Sequence, residues 1–270
     1  MRALLASPLG FLIGLSLGAL GGGGSILAVP ALVYAAGQSP KHATTTSLVL
    51  VALTALIGIV PHWRAGRVRA GAGTIFGLAG IGGSLLGSHW NKAANPNVLL
   101  LAFSGLMLVA AYGMWRRVTR APKAELSCSV GAAAAPTAGS ASVRIDPMTV
   151  LKVIVAGTIV GLLTGFFGVG GGFVIVPALV LALGFTMPEA IGTSLLVITI
   201  NSAVALSTRL QTGAIEWGTV IPFTIASLLG VIVGSHLAHT RDSGSLQRWF
   251  VGLLVVVAVY TAIRSGVALR

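Results

Sequence analysis

Two clusters of closely spaced glycine residues are the feature of this sequence that most directly suggests a binding site. Each lies inside an apolar segment and is followed by a proline: the clusters are Gly21, Gly22, Gly23 and Gly24 with Ser25, and Gly168, Gly170, Gly171 and Gly172. A continuous helix disfavours this composition, because an interior glycine costs about 1 kcal/mol and a proline about 3 kcal/mol. A break there frees backbone N–H groups, which together with the positive end of the following half-helix could bind an anion. Close packing of helices through small residues is the alternative interpretation.

Hydroxyl side chains recur near the start of two apolar segments that follow the glycine clusters. They are Thr45, Thr46 and Ser47 in one segment, and Thr193 and Ser194 in the other. Such hydroxyls can cap a helix or donate hydrogen bonds to an oxyanion. Asn201 lies further into its segment, where an amide could bond either a neighbouring helix or a ligand. We predict that these residues contribute to a substrate site.

Two arginines and two histidines are candidates for attracting an anion or carrying a proton. Arg64 and Arg209 each precede a glycine in a short loop, where they could attract anions or simply set the orientation of the chain. His89 and His236 close two apolar segments, where they could titrate near neutral pH or cap the end of a helix.

The groups that are missing from the apolar segments narrow the function further. None of the five acidic residues falls near the middle of a predicted span; they are Glu125, Asp146, Glu189, Glu216 and Asp242. Pumps for cations and protons usually keep a carboxylate inside the membrane, so we expect an anionic or neutral solute. We find no nucleophile–base pair, and a single cysteine, Cys128, excludes a cysteine-ligated metal cluster. We therefore predict no enzymatic activity, no cofactor and no metal site.

The two halves of the sequence match each other without a gap at an offset of 147 positions. The matches include polar and glycine positions, which carry more weight than apolar ones: Gly14 with Gly161, Gly18 with Gly165, Pro30 with Pro177, Thr46-Ser47-Leu48 with Thr193-Ser194-Leu195, and Gly87-Ser88-His89 with Gly234-Ser235-His236. We infer an internal duplication. One difference falls in the glycine cluster itself, where Ser25 in the first copy matches Gly172 in the second.

Composition shows what kind of element holds these residues. Hydrophobic residues make up 55% of the chain and charged residues 8%, against about 25% charged in soluble domains. Long apolar runs predict an all-α polytopic membrane protein. The net charge of +12 lies in short loops between the runs, as the positive-inside rule predicts, and we expect no nucleic-acid partner.

About 20 apolar residues cross a bilayer, and this length predicts four units in each half. They are 8–37, 43–62, 71–90 and 97–115, then 155–184, 190–208, 216–238 and 247–265, with the first unit of each half broken at its glycine cluster. Four crossings per half make the repeats parallel. Alternatively, each broken unit is a hairpin, which gives five passes per half and an inverted repeat.

Charged residues predict the orientation of these units. The densest basic cluster begins a polar linker, which we expect to be cytoplasmic. The four-pass arrangement then brings Arg2, Arg64, Arg209 and Arg264 to the same side, and the charge pattern favours it over the hairpin. The predicted organisation is transmembrane repeat 1 over 1–117, a flexible linker over 118–147 and transmembrane repeat 2 over 148–270, together forming one membrane domain.

Three motifs together resemble the TauE/SafE family of sulfite exporters. The first is the doubled glycine–proline motif, Gly170-Gly171-Gly172-Phe-Val-Ile-Val-Pro177 and Gly23-Gly24-Ser25-Ile-Leu-Ala-Val-Pro30; the others are Ala190-Ile-Gly-Thr-Ser-Leu195 and the Gly-Ser-His triplets at Gly87 and Gly234. The resemblance implies export of a small sulfur oxyanion, sulfite or an organosulfonate such as sulfoacetate, across the bacterial inner membrane.

The sequence thus predicts a secondary transporter in which the two broken helices hold an anion and the repeats rock to alternate access. The expected partners are a small anionic substrate and the lipid bilayer. The sequence leaves open whether the protein forms a homo-oligomer. The alternatives are a transporter of another small anion, or a membrane scaffold that binds a partner through its linker.

Overall fold

The structure, a computed structural model, describes residues 2–25, 28, 32, 40–91, 96–120, 147–167, 172–209 and 217–268. All regular secondary structure in these ranges is helical, which confirms the predicted all-α class. The helices are α1 (Arg2–Leu20), α2 (Pro40–Arg64), α3 (Ala70–Asn91), α4 (Pro96–Arg120), α5 (Pro147–Phe167), α6 (Gly172–Leu181), α7 (Met187–Arg209), α8 (Trp217–Thr240) and α9 (Ser243–Ala268).

Helix length and hydropathy agree with a multi-pass membrane protein. Within the described ranges, six helical segments are long and apolar enough to cross a bilayer: Thr46–Arg64, Ala70–Gly87, Met148–Phe166, Met187–Leu206, Ile221–Ala238 and Ser243–Ile263. Proline begins α2, α4 and α5, a position where its missing N–H costs nothing. Helices α7, α8 and α9 each begin 147 positions after α2, α3 and α4, so the helix starts follow the register of the sequence matches.

The chain reverses direction directly after α1. Gly21 has a φ of 70°, a left-handed conformation that ends helices and that glycine adopts without strain. A Cβ on Gly24 would lie 2.5 Å from the carbonyl oxygen of Ile13 and 2.7 Å from the nitrogen of Leu17. A continuing helix would carry Gly24 about 10 Å beyond Leu17, so the segment after Gly21 folds back along α1. The broken unit is a hairpin and not a single crossing.

Helix directions show that matched helices of the two halves run in opposite directions. Gly58 of α2 packs against Leu195 of α7, whereas Gly192, earlier in α7, packs against His62, later in α2. The same holds for α4 and α9, whose contact joins Met114, near the end of α4, to Gln247 in the first turns of α9. The four-pass prediction with parallel repeats was therefore wrong, and the hairpin alternative describes the arrangement. The error arose because two hairpin arms were counted as one crossing.

One surface of the protein gathers most of the arginines. The end of α4 meets the end of α6, where Arg117 donates to the carbonyl oxygens of Val180 and Gly184. The start of α7 meets the end of α2 through Gly192 and His62. We call this surface the basic face; it carries the α2–α3, α6–α7 and α8–α9 turns and the end of α4.

The opposite surface holds the start of α1, the ends of α7 and α9, and fewer charges. Arg2, Arg209 and Arg264 belong there, so the prediction that they share a side with Arg64 was wrong. For Arg2 the reason is the second arm of the first hairpin, and for Arg209 and Arg264 it is the inversion of the second half.

The helix that begins each half packs on a helix of the other half: α1 on α8, and α5 on α3. Helices α1 and α8 run parallel, with Gly10 beside Phe223 and Gly18 beside Val231, and α5 and α3 repeat this arrangement, with Gly157 beside Phe76. Glycines on both helices leave no room for a Cβ at the crossing; they include Gly14, Gly18, Gly230 and Gly234, and their matches Gly161, Gly165, Gly83 and Gly87. Small residues at four-residue spacing allow such close approach of backbones in membranes. We call α1–α8 and α3–α5 the crossed pairs.

Helix α6 lies in the core, where it packs on α4, α5 and α7. Most of α6 is buried, and the ring of Phe173 meets that of Phe103 edge-on at 4.9 Å between centroids. The outer faces expose large apolar side chains such as Leu85 and Val256, as expected of surfaces that contact lipid.

Candidate functional site

The two hairpins meet at Ser25 and Gly172, which occupy matched positions in the two halves. The Ser25 hydroxyl and the carbonyl of Gly22 lie so close to Gly172 that no Cβ fits there without displacing them. The hydroxyl of Ser25 donates to the carbonyl oxygen of Gly22 over 2.7 Å. A contact between matched positions of an inverted pair lies at mid-depth between the two surfaces. The difference between Ser25 and Gly172 therefore has a steric cause, because only one side chain fits.

Two helix N-termini converge at this contact. Helix α6 begins at Gly172, and the helical residues after the first turn begin at Gly23. The ten residues of α6 span about 15 Å, half of a hydrocarbon core of about 30 Å, so α6 leads from mid-depth to the basic face. A helix N-terminus carries roughly half a positive charge. Two of them at mid-depth create a positive potential in a region of low dielectric.

Ser194 brings a hydroxyl to the first hairpin. A Cβ on Gly21 would lie 2.5 Å from Ser194 Oγ and 3.2 Å from the Cα of Ile191. Ser194 is fully buried, and its hydroxyl donates to the carbonyl oxygen of Ile191 over 2.8 Å. The hydroxyl groups of Ser25 and Ser194 thus both donate to backbone carbonyl oxygens. Either hydroxyl has to rotate before it can donate to a ligand.

Thr193 links this region to the basic face. Its Oγ1 accepts a hydrogen bond from the backbone N–H of Arg69 over 3.1 Å. The Arg69 guanidinium donates from Nε and Nη2 to Oε1 of Glu189, at 3.1 Å and 2.7 Å. The α2–α3 turn is therefore attached to the first turns of α7, one residue from Ser194. Residue patterns did not identify Arg69 or Glu189 as partners, because the pair joins different halves of the chain.

The predicted hydroxyl groups divide into two sets on opposite sides of mid-depth. Thr46 and Ser47 are buried near the start of α2. Because α2 and α7 are antiparallel, Ser47 lies 11 positions before Gly58, about 16 Å along α2 from the level of Thr193 and Ser194. We call the set with Gly21, Gly22, Thr193 and Ser194 the inner half-site, and Thr46 with Ser47 the outer half-site.

Some predicted residues fall outside the described part of the chain. They are Gly168, Gly170 and Gly171, together with the side chains of Thr45 and Arg209. The contribution of these residues to a site stays a prediction.

Asn201 lies apart from both half-sites. Its Nδ2 is 3.9 Å from a Cβ placed on Gly80 in the α3–α5 crossed pair, and its Oδ1 is buried without a hydrogen-bond partner among the described residues. A buried acceptor without a donor is costly, so Asn201 is a candidate for contact with a polar ligand.

The remaining charged candidates lie at the surfaces. Arg64 is exposed at the basic face, at the end of α2, and His236 is exposed near the end of α8 on the same side. His89 is exposed near the end of α3, on the opposite side. No residue of this set contacts the hairpin tips in the described structure. Nor do the described residues contain a group of three histidine, cysteine or acidic side chains that could hold a metal ion.

Comparison with known proteins identifies relatives along nearly the whole chain. The family "Sulfite exporter TauE/SafE" matches residues 6–261. A protein of Xylella fastidiosa strain 9a5c called "Probable membrane transporter protein" is 35% identical over 268 residues, covering 96% of this chain and 95% of its own length. "Probable membrane transporter protein YunE" of Bacillus subtilis strain 168 is 26% identical over 268 residues, covering 95% and 92%. No solved structure matches significantly.

Proposed function

Because the chain belongs to the sulfite exporter TauE/SafE family of membrane transporters, we propose that it exports a small sulfur oxyanion by alternating access. The substrate is sulfite or an organosulfonate such as sulfoacetate. The observation that carries the proposal is the meeting of two helix N-termini at Gly22 and Gly172. Their partial positive charges favour an anion. Glu189, the acidic residue in a described span, is neutralised by Arg69.

The two half-sites supply the steps of transport. An anion entering from the basic face meets Thr193 and Ser194, then the hairpin tips, and then Thr46 and Ser47 before leaving on the opposite side. The tips are packed backbone against backbone at Gly22 and Gly172, so they separate when an anion passes. Hydroxyl rotation at Ser25 and Ser194 exchanges a backbone acceptor for a charged one, and a hydrogen bond to a charged group is the stronger.

In the proposed alternating-access mechanism, the crossed pairs are the parts that move. The close glycine contacts bind α1 to α8 and α3 to α5. Each crossed pair moves as one body, and α2 with α7 forms the contact between the two bodies. The rocking units are therefore built from both sequence halves, in contrast to the predicted rocking of one repeat against the other. We propose that the basic face is cytoplasmic, as the positive-inside rule predicts, and that the linker of residues 118–147 lies on this side of the bacterial inner membrane.

Flux measurements on Ser194→Ala test the function. Purified protein in liposomes should move sulfite or sulfoacetate, and Ser194→Ala should lower kcat/KM roughly 10- to 100-fold, because a hydrogen bond to a charged group is worth about 1.5–3 kcal/mol. Thr74→Ala is the matched control, since the Thr74 hydroxyl is exposed and donates only to carbonyl oxygens of its own helix. Protein-dependent flux of no anion would refute the proposal.

A scaffold that acts through its linker predicts a different result. Deleting residues 122–142 should abolish the function of a scaffold but leave the flux of a transporter intact. Flux of sulfate or another anion in preference to sulfur(IV) species and sulfonates would keep the transport mechanism and change the substrate.

A further inference from the structure

The basic face holds a group of arginines and aromatic rings that neither half-site uses. The group, which we call the α4–α9 basic patch, consists of Tyr112, Arg116, Arg241, Arg248 and Trp249. All five side chains are exposed. The Arg116 guanidinium lies 5.6 Å from the centre of the Tyr112 ring, and that of Arg241 lies 5.9 Å from the Trp249 ring.

The packing of α4 on α9 brings the two parts of the patch to one place. Gln247 Nε2 donates to the carbonyl oxygen of Met114 over 3.0 Å, and this contact is buried. Arg116 lies two residues beyond Met114, and Arg248 directly follows Gln247. The end of α4 and the start of α9 therefore meet at the basic face, and the segments at this junction carry Arg116, Arg241 and Arg248.

The carboxylate of Asp242 offsets part of the positive charge of the patch, because it lies near Arg248. Asp242 accepts hydrogen bonds from the side chain and from the backbone N–H of Ser245, the latter over 3.1 Å, and caps α9. These hydrogen bonds, together with the charge of Arg248, hold the pKa of its carboxyl below its ordinary value. Arg117 points to α6, where it donates to Val180 and Gly184. One carboxylate thus stands against three arginines among the described residues at this junction.

The opposite end of the same helix pair provides an internal comparison. Since the matched helices run antiparallel, the positions that match Tyr112, Arg116 and Trp249 lie at the other surface, where they are Val259, Ile263 and Ala102. Val259 and Ile263 are exposed. The packing of α4 on α9 is therefore compatible with apolar side chains at these three matched positions, and the exposed Tyr260 and the helical residue Arg264 lie one position further along α9 at that surface.

We propose that the α4–α9 basic patch binds the phosphate headgroup of an anionic phospholipid in the leaflet at the basic face. Aromatic side chains such as Tyr112 and Trp249 favour the headgroup level of a bilayer. Guanidinium groups bind phosphate oxygens in pairs of hydrogen bonds. Basic pockets between transmembrane helices on the cytoplasmic side are known sites for anionic headgroups. The acyl chains then lie along the exposed apolar faces of α4 and α9.

Thermal unfolding of the full-length protein in detergent tests the lipid site. The midpoint is measured while phosphatidylglycerol or phosphatidylcholine is added, and separately with inorganic phosphate. We expect phosphatidylglycerol to raise the midpoint and phosphatidylcholine to leave it unchanged. The triple variant Arg116→Gln/Arg241→Gln/Arg248→Gln should lose the response, with the apparent affinity falling about five-fold for each arginine removed.

Arg64→Gln is the matched control, because Arg64 is exposed at the same face without a nearby ring contact in the described structure. It should keep the full response. A triple variant whose midpoint in phosphatidylcholine equals that of the unmodified protein is folded; if it is lower, the three single variants replace it. An equal response to both lipids, an equal loss in Arg64→Gln, or a response reproduced by inorganic phosphate would each overturn the proposal.

Discussion

The hydroxyl of Ser25 occupies the space that a side chain at position 172 would need. Positions 25 and 172 match between the halves of the chain. Their contact therefore lies close to the axis that relates the two hairpins. At such a position symmetry cannot be kept, because two side chains compete for one volume. The sequence difference between the copies is thus a requirement of packing.

Exchanging these two residues tests this relationship. Gly172→Ser should destabilise the protein by about 1–3 kcal/mol through overpacking and reduce flux. The double variant Ser25→Gly/Gly172→Ser should regain part of both, since the obstructing hydroxyl is gone while the carbonyl oxygen of Gly22 still lies 3.0 Å from the new Cβ. Thermal unfolding and liposome flux on the three proteins measure the effect. A double variant as impaired as the single would show that the two positions act independently.

Helix packing in the crossed pairs makes a second prediction. Gly14→Ala should lower the free energy of unfolding by about 1–3 kcal/mol, because its Cβ would overlap the backbone of Ser227. Gly252→Ala is the control: nothing lies within 4 Å of its Cβ, and alanine favours a helix over glycine by about 1 kcal/mol. Equal stability of the two variants would contradict the close approach of α1 and α8.

The attachment of the α2–α3 turn to α7 predicts a change in transport more than in stability. Arg69→Gln removes an ion pair whose side chains are 49% and 23% exposed, and exposed pairs contribute about 0–1 kcal/mol. We expect opening toward the basic face to become easier, with altered flux and a nearly unchanged unfolding midpoint.

The charge-exchanged variant Arg69→Glu/Glu189→Arg is the corresponding control and should restore part of the normal rate. An unfolding midpoint that falls in proportion to the flux would assign the pair a purely structural role.

Asn201 offers a test that separates ligand contact from helix packing. Asn201→Leu removes a buried acceptor that has no partner among the described residues, so stability should be kept or raised. If the amide contacts the passing anion, flux falls while the unfolding midpoint does not. Undiminished flux would exclude Asn201 from the transport path.

The inversion of the two halves makes a topological prediction that uses the single native cysteine. Cys128 lies in the linker, which joins α4 and α5 at the basic face, and Ala268 ends α9 on the opposite side. A membrane-impermeant thiol reagent applied to intact cells should label Ala268→Cys in a Cys128→Ser background. Cys128 itself should react only after the membrane is opened. Labelling of both from one side would support parallel repeats.

The class of the fold and the positions of the helix breaks could be predicted from residue patterns. The glycines at Gly21 and Gly172 mark the breaks because local backbone conformation is encoded locally. The direction of each arm was not predictable in this way, because it depends on which helix α1 packs against, and that partner is α8 in the other half. Arg209 and Arg264 led to a wrong prediction of the orientation of the second half, because basic residues end helices on both sides of the protein.

The positions of the predicted site residues likewise depend partly on local structure and partly on long-range helix packing. The Thr-Ser pair begins a buried helix after a tight turn, which is a local feature, but the approach of Ser194 to Gly21 joins the two halves of the chain and is not specified by a local motif. The separation of Thr46 and Ser47 from Thr193 and Ser194 depends on the antiparallel packing of α2 and α7. Arg69 and Glu189 are far apart in the sequence and carry no motif, so the structure alone brings them together.

The pairing of α1 with α8 has a consequence for how the protein is made. Every residue from Leu20 to Trp217 must leave the ribosome before the glycine-lined surface of α1 can meet its partner, which takes roughly 10–40 s at ordinary synthesis rates. During that interval the newly made first hairpin lies in the bilayer or in the insertion machinery. The glycine-lined surface of α1 then has no partner helix. The first hairpin therefore has to persist in the membrane without its partner helix until α8 has been made.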